Sequence, residues 1–146
     1  MARKKAGVKQ ARLDPKWMLL AGRVLVAMLF LVSGWGKMKD PNGTAAFMAS
    51  TGMPFTSVWL ACLAGLLELA CGLALLVGWK ARQAVMILSG YLVLATYFIH
   101  LVPAWGMQAG AARENQIMHV SLNLGLLGGM LAMIVAGPGG ISWDKK

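Results

Sequence analysis

Four long apolar runs, at about Trp17 to Met38, Phe55 to Gly78, Gln83 to Val102 and Gln116 to Ala136, constrain this chain more than any other feature. Each approaches or exceeds the roughly 20 residues that an α-helix needs to cross bilayer hydrocarbon. Lipid offers no water to a free backbone N–H or C=O, so only helices and closed barrels can span it. Ala, Leu, Met and Val fill the runs without the alternation of a barrel strand, which leaves helices. Of 146 residues, 58% are hydrophobic and 13% charged, which is too oily for a water-soluble domain of that length. The expected fold is an all-α membrane protein. A four-transmembrane-helix bundle over 17–138 is flanked by a basic tail at 1–16 and a short tail at 139–146.

Tryptophan marks the same boundaries independently. Trp17, Trp35, Trp59, Trp79, Trp105 and Trp143 all fall at or just beyond the ends of the runs, where amphipathic rings favour the lipid-water boundary.

A net charge of +9 would suit nucleic acid only if the charge formed a face on a folded domain. Arg3, Lys4, Lys5, Lys9, Arg12 and Lys16 instead crowd the N-terminus, and most of the rest sit at the ends of apolar runs. The expected partner is therefore the lipid bilayer and not nucleic acid, with the basic tail acting as a topology signal or a contact for anionic headgroups. The N-terminal tail, Lys80 with Arg82, and Lys145 with Lys146 hold about ten basic residues, against about three at Lys37, Lys39 and Arg113. By the positive-inside rule both ends face the cytoplasm of a bacterial or archaeal cytoplasmic (inner) membrane. The alternative is a cleaved signal peptide ending near Gly36. A long basic region, a long apolar run and Arg23 within it argue against that.

The connections differ in content. Asp40-Pro41 supplies a helix cap followed by proline at the first helical position, and Gly52 with Pro54 supplies a stop. A short interfacial helix at the outer side, between helices 1 and 2, follows. Pro103 to Asn115, with Gly106 and Gly110, reads as a loop. The connection from Gly78 to Arg82 is so short that the second and third spans must be antiparallel neighbours.

Ionisable residues inside the spans carry the chemistry. Arg23 lies early in the first span and Glu68 near the middle of the second; both are costly in lipid and are expected to pair with each other, face protein or line a cavity. They are read as a helix-helix staple, as a ligand or proton site, or, for Arg23, as a contact for lipid headgroups. Ala61, Ala64, Gly65 and Gly72 near Glu68, and Gly125, Gly128 and Gly129 in the last span, are small residues expected to let helices approach closely.

A second polar set, Ser33, Lys37, His100, His119 and Asn123, falls at middle or outer depth and is expected to meet in an outward-facing pocket. Two histidines at similar depth are also what a bis-imidazole haem needs, but no other metal-type motif accompanies them, so no metal or haem is expected. Cys62 and Cys71 share a helix about 13 Å apart along its axis, beyond a disulfide's reach. Most of the methionines lie in the spans, where they pack.

The run Arg23-Val24-Leu25-Val26-Ala27 through Phe30-Leu31-Val32-Ser33-Gly34 to Lys37 resembles the opening of the DoxX family of small four-helix membrane proteins. The resemblance continues through Thr44 to Ala49, Leu67-Glu68-Leu69, Gly72-Leu73, Arg82, Asn123 to Gly129 and Gly137-Pro138-Gly139 with Ser142 and Asp144. It implies a link to membrane oxidoreductases that handle quinones, and it carries a ligand-binding role onto Arg23, Glu68, Ser33, Lys37 and Asn123. One position departs: the family often has a basic residue before the asparagine, and this chain has Leu122.

Three functions are then in view. The first is an accessory or quinone-contacting subunit of a larger membrane redox complex, with quinone the possible cofactor and none bound covalently. The second is a stand-alone binder or carrier of a small lipid-soluble molecule, as a homo-oligomer; the third is a purely structural membrane subunit docking through small-residue faces.

Overall fold

The computed structural model describes residues 14–144. The basic cluster from Arg3 to Arg12, and Lys145 and Lys146, lie outside the described residues.

Helix α1, Pro15–Lys39, starts where local chemistry allows. The Asp14 side chain accepts the Lys16 backbone N–H at 3.1 Å and Pro15 occupies the first helical position, where its missing N–H costs nothing. Bonding to Lys16 holds the exposed Asp14 carboxyl below its ordinary pKa. Asp40 ends α1 and opens α2, Pro41–Ser50: its N–H bonds to Gly36 O, and its carboxylate accepts the Gly43 N–H at 2.8 Å. The expected short helix is present, and Gly52 at φ 77° turns the chain away after it.

Helix α3, Val58–Val77, begins under a Ser57 cap that accepts the Leu60 N–H at 3.1 Å. It ends in a Schellman turn, with Trp79 N bonded to Ala74 O, Gly78 N bonded to Leu75 O, and Gly78 at φ 77°. Helix α4, Ala81–Ala95, follows at once and packs antiparallel on α3, as the short connection requires.

The next segment corrects the expected loop. A π-helical turn, Thr96–Leu101, continues α4 and runs into the short helix α5, Val102–Gly106, so the third span reaches Gly106 and only residues 107–110 connect it to α6, Ala111–Ala136. Proline was the misleading signal. Pro103 lacks an N–H and would press on the carbonyl four residues back, but the wider turn before it, with Val102 N bonded to Tyr97 O, absorbs the conflict without ending the helix.

All four expected spans are present as long apolar helices, and there is no strand among the described residues. The most extensive packing is that of α1 on α3; α3 also packs on α4 and α4 on α6, while α1 and α6 barely touch. Phe30, Leu75, Val85, Leu88 and Met130 are the largest fully buried side chains. All six tryptophans are exposed, as an aromatic belt requires.

Small residues set the α1–α3 contact. An added Cβ at Gly34 would lie 2.8 Å from Gly65 O, one at Gly65 would lie 3.1 Å from Gly34 O, and one at Gly72 would lie 3.1 Å from the Leu31 side chain. The same role expected of Gly125, Gly128 and Gly129 is not found, because an added Cβ at any of them would meet nothing within 4 Å. Helix α6 packs instead through Leu126, Leu127, Met130, Met133 and Ile134, which places its glycines on the other face.

The C-terminal segment straps the end of the bundle where α1 starts. Trp143 N and Asp144 N bond to Val77 O and Gly78 O, and the Asp144 carboxylate accepts the Ala81 N–H at 3.1 Å, capping α4 from a distance of 63 residues. Arg23 holds this strap: its Nη1 donates to Pro138 O at 2.5 Å and its Nη2 to Leu76 O at 3.4 Å.

The expected Arg23–Glu68 pair does not form. Helices α1 and α3 run antiparallel in a register that sets Gly34 against Gly65 and Gly72 against Ala27 and Leu31, so Arg23 falls beside Leu76 at the terminal end of α3. Glu68 lies opposite the other half of α1. The two charges are bonded separately, Arg23 through its two terminal nitrogens to the Pro138 and Leu76 carbonyls, with its buried Nε left without a partner among the described residues. Arg23→Leu is expected to cost about 1.5 to 3 kcal/mol, the scale of hydrogen bonds made by a charged group. Thermal melts in detergent check this: truncation after Gly137 should cost a similar amount, and the combined variant less than the two losses added. Additive losses would show that Arg23 does not act through the strap.

Candidate functional site

Between α1, α3, α4 and α6, in the half of the bundle away from the termini, lies a cavity of about 560 Å³ with α2 across it.

Lys37 and Glu68 make its polar floor. The Lys37 ammonium donates to both Glu68 carboxylate oxygens, at 2.9 and 3.0 Å, and to Ser33 Oγ at 2.6 Å. Ser33 and Lys37 are one turn apart on α1, and the close Gly34–Gly65 approach brings that face within reach of Glu68. The Glu68 side chain is only 3% exposed and that of Lys37 17%, so this is a nearly desolvated ion pair with one partner at the cavity edge.

The opposite wall comes from the third and fourth spans. Tyr91 lines the cavity beside the Glu68 carboxylate. The π-helical turn supplies His100, and α6 supplies Asn123, whose Nδ2 donates to Thr96 Oγ1 at 3.0 Å. His100 Nδ1 lies 2.7 Å from Gln116 Oε1; with the amide oxygen accepting, Nδ1 carries the proton and Nε2 is an acceptor. π-Helical turns recur at functional sites because they re-aim one side chain without ending the helix, and this one places both Thr96 and His100.

Of the residues expected to bind a ligand, Ser33, Lys37, Glu68, His100 and Asn123 all line this cavity. His119 stands next to it, its ring stacked on His100 with centroids 4.9 Å apart at 21°. Arg23 belongs to the opposite end of the bundle. Leu122, the position at which the sequence departs from the resemblance, is 62% exposed. Tyr91, Asp40 and Thr44 also line the cavity and were not among the residues expected to bind a ligand. A tyrosine in the middle of an apolar span was the available signal for Tyr91; Asp40 is explained by its two helix caps.

The arrangement offers N–H and O–H donors from several sides, acceptors in Glu68 and His100, and apolar walls from Leu29, Phe30, Phe47, Met48, Leu92 and Ile99. It can hold a molecule with a flat, polar-edged head and little charge of its own. Among the described residues no group of three or more His, Cys, Asp or Glu is placed to hold a metal ion.

A four-span helical membrane protein with an ion pair at the floor of a half-membrane cavity is thus the class that the fold and site define. The chain belongs to the DoxX family, whose model matches residues 18–101, from the start of α1 to the end of the π-helical turn. It is 32% identical over 127 residues to the inner membrane protein YqjF of Escherichia coli (strain K12), covering 87% of this chain and 89% of that protein. It is 28% identical over 129 residues to the inner membrane protein YphA of the same organism, covering 88% of this chain and 89% of that one. No solved structure matches the chain.

Proposed function

We propose that this protein is a quinone-contacting subunit of a membrane redox complex, and that the cavity above Lys37 and Glu68 receives the quinone ring. One observation carries the proposal: a cavity of about 560 Å³ within the span joins apolar walls to convergent donors and a nearly buried ion pair. A quinone head presents carbonyl oxygens that the Tyr91 hydroxyl and the second Asn123 amide N–H can bond, and His100 Nε2 is placed to accept the hydroxyl of the reduced, quinol form. The ion pair keeps a proton donor and a proton acceptor in contact at the bottom of the site, as handling a quinol hydroxyl requires. The two relatives, both inner membrane proteins, support an inner-membrane location, and the excess of Lys and Arg at the terminal end supports an orientation with both termini in the cytoplasm and the cavity in the outer half. A bundle this small offers no evident electron path of its own, which favours a subunit of a larger assembly.

The test is equilibrium binding of a chainless benzoquinone to the purified protein in nanodiscs, with the full chain pulled down from native membranes alongside. Saturable binding is expected, weakened about tenfold by Tyr91→Phe and by Asn123→Ala, since each loses about one hydrogen bond to a desolvated head. A stoichiometric oxidoreductase partner is expected in the pull-down. Binding that never saturates, or that both variants leave unchanged, overturns the assignment of the cavity; recovery of the chain alone overturns its place in a complex.

A further inference from the structure

The polar cavity has an apolar neighbour. On the other side of the Asn123–Thr96 hydrogen bond, a groove of about 220 Å³ runs between the third span and α6, lined by Val93, Tyr97, Leu101, Val120, Leu124 and Leu127. Val93 and Leu124 are 49% and 59% exposed, so the groove opens sideways to the hydrocarbon of the bilayer.

Leu92 and Asn123 line both spaces, so the wall between them is one side chain thick. Two donors of that wall are bonded within it: Asn123 Nδ2 gives one N–H to Thr96 Oγ1, and the Thr96 hydroxyl donates to Leu92 O at 2.6 Å. They therefore present little to the groove that would repel an alkyl chain. The groove is smaller than the roughly 300 to 1,000 Å³ of pockets that enclose a whole drug-sized ligand. It suits a segment of a single chain and not a ring.

We propose that the groove holds the apolar tail of the molecule whose head occupies the cavity, and that Asn123 and Leu92 form the saddle over which head and tail are joined. The inference rests on the head-group assignment of the cavity and narrows it: the ligand is a long-chain, lipid-soluble molecule that enters sideways from the membrane. A small polar solute arriving from water would have no use for the groove. The π-helical turn serves both parts, since Thr96 stands in the wall, Tyr97 and Leu101 face the groove and His100 faces the cavity.

The experiment compares two probes on the full chain in one nanodisc composition: a chainless dimethoxy-methyl-benzoquinone and the same ring carrying a decyl chain. Val120→Trp and Leu124→Trp fill the groove, and Leu25→Trp, on a lipid-facing side chain that is 73% exposed and lines neither space, controls for membrane partition of the probes. The decyl probe is expected to bind the wild type and Leu25→Trp at least about tenfold more tightly than either groove variant, while the chainless probe binds all four alike. Equal decyl affinity in all four, with chainless binding intact, overturns the groove and leaves the cavity assignment standing. A groove variant that loses co-purified phospholipid without losing decyl affinity gives the groove to a bilayer acyl chain and also overturns the proposal. Absence of binding by both probes in the wild type overturns the cavity assignment and the groove with it.

Discussion

Lys37→Met is expected to lower the stability of the folded protein by about 3 to 5 kcal/mol, the usual cost of breaking a buried ion pair from one side. The variant leaves the Glu68 carboxylate, 3% exposed, without the ammonium that bonds both of its oxygens. Glu68→Leu is expected to cost less, because Lys37 is 17% exposed and its long side chain can carry the ammonium to the cavity mouth while keeping Ser33 within reach. The double variant should lose less than the sum of the two single losses, since two apolar residues replace a pair whose desolvation opposes its attraction. Chemical denaturation of the four proteins in one detergent measures all three quantities. Strict additivity would show that the two groups do not interact, and a loss under about 1 kcal/mol for Lys37→Met would show a pair solvated as on an ordinary surface.

The second large effect comes from the helix contact that makes the pair possible. Gly34→Leu places a side chain where a Cβ alone would stand 2.8 Å from Gly65 O and 3.0 Å from Glu68 Cβ. The obstructing atom is backbone, so α3 has to move away from α1, at or above the upper end of the about 1 to 3 kcal/mol typical of overpacking. Because α1 carries Lys37 and α3 carries Glu68, the same displacement opens the ion pair and should abolish the proposed quinone binding along with stability. Gly90→Leu is the control, since an added Cβ there meets nothing within 4 Å. Melting temperatures and chainless-quinone binding of the two variants separate the cases. Equal behaviour would show that α1 and α3 do not approach as closely as the glycines indicate.

The spans, the interfacial helix and the α3–α4 turn were legible because each depends on local chemistry. A stretch of apolar residues must be helical in lipid whatever surrounds it, Asp40-Pro41 caps α2 with its own atoms, and Gly78 ends α3 by its own φ of 77°. The membership of the site was legible almost as far, since polar residues at matched depth on adjacent spans have few places to go other than a common interior. Ser33, Lys37, Glu68, His100 and Asn123 do line one cavity.

Which charge pairs with which was a different matter. Depth along the bilayer pointed to Arg23 as the partner of Glu68 and did not bring out Lys37, which the antiparallel register fixed by Gly34, Gly65 and Gly72 places there instead. Arg23 was then free for the carbonyls of Leu76 and Pro138, the second 115 residues away, a contact that no local pattern announces. The passage of the third helix through Pro103, the orientation of the α6 glycines away from the bundle, and the stacking of His119 on His100 were likewise decided by packing. The sequence by itself determined how many times the chain crosses the membrane and which residues are too polar to face lipid, because transfer into hydrocarbon acts on each residue separately. Tertiary structure alone decided the partners of those residues, because a hydrogen bond requires a few tenths of an ångström of relative placement that only the packing of one helix on another supplies.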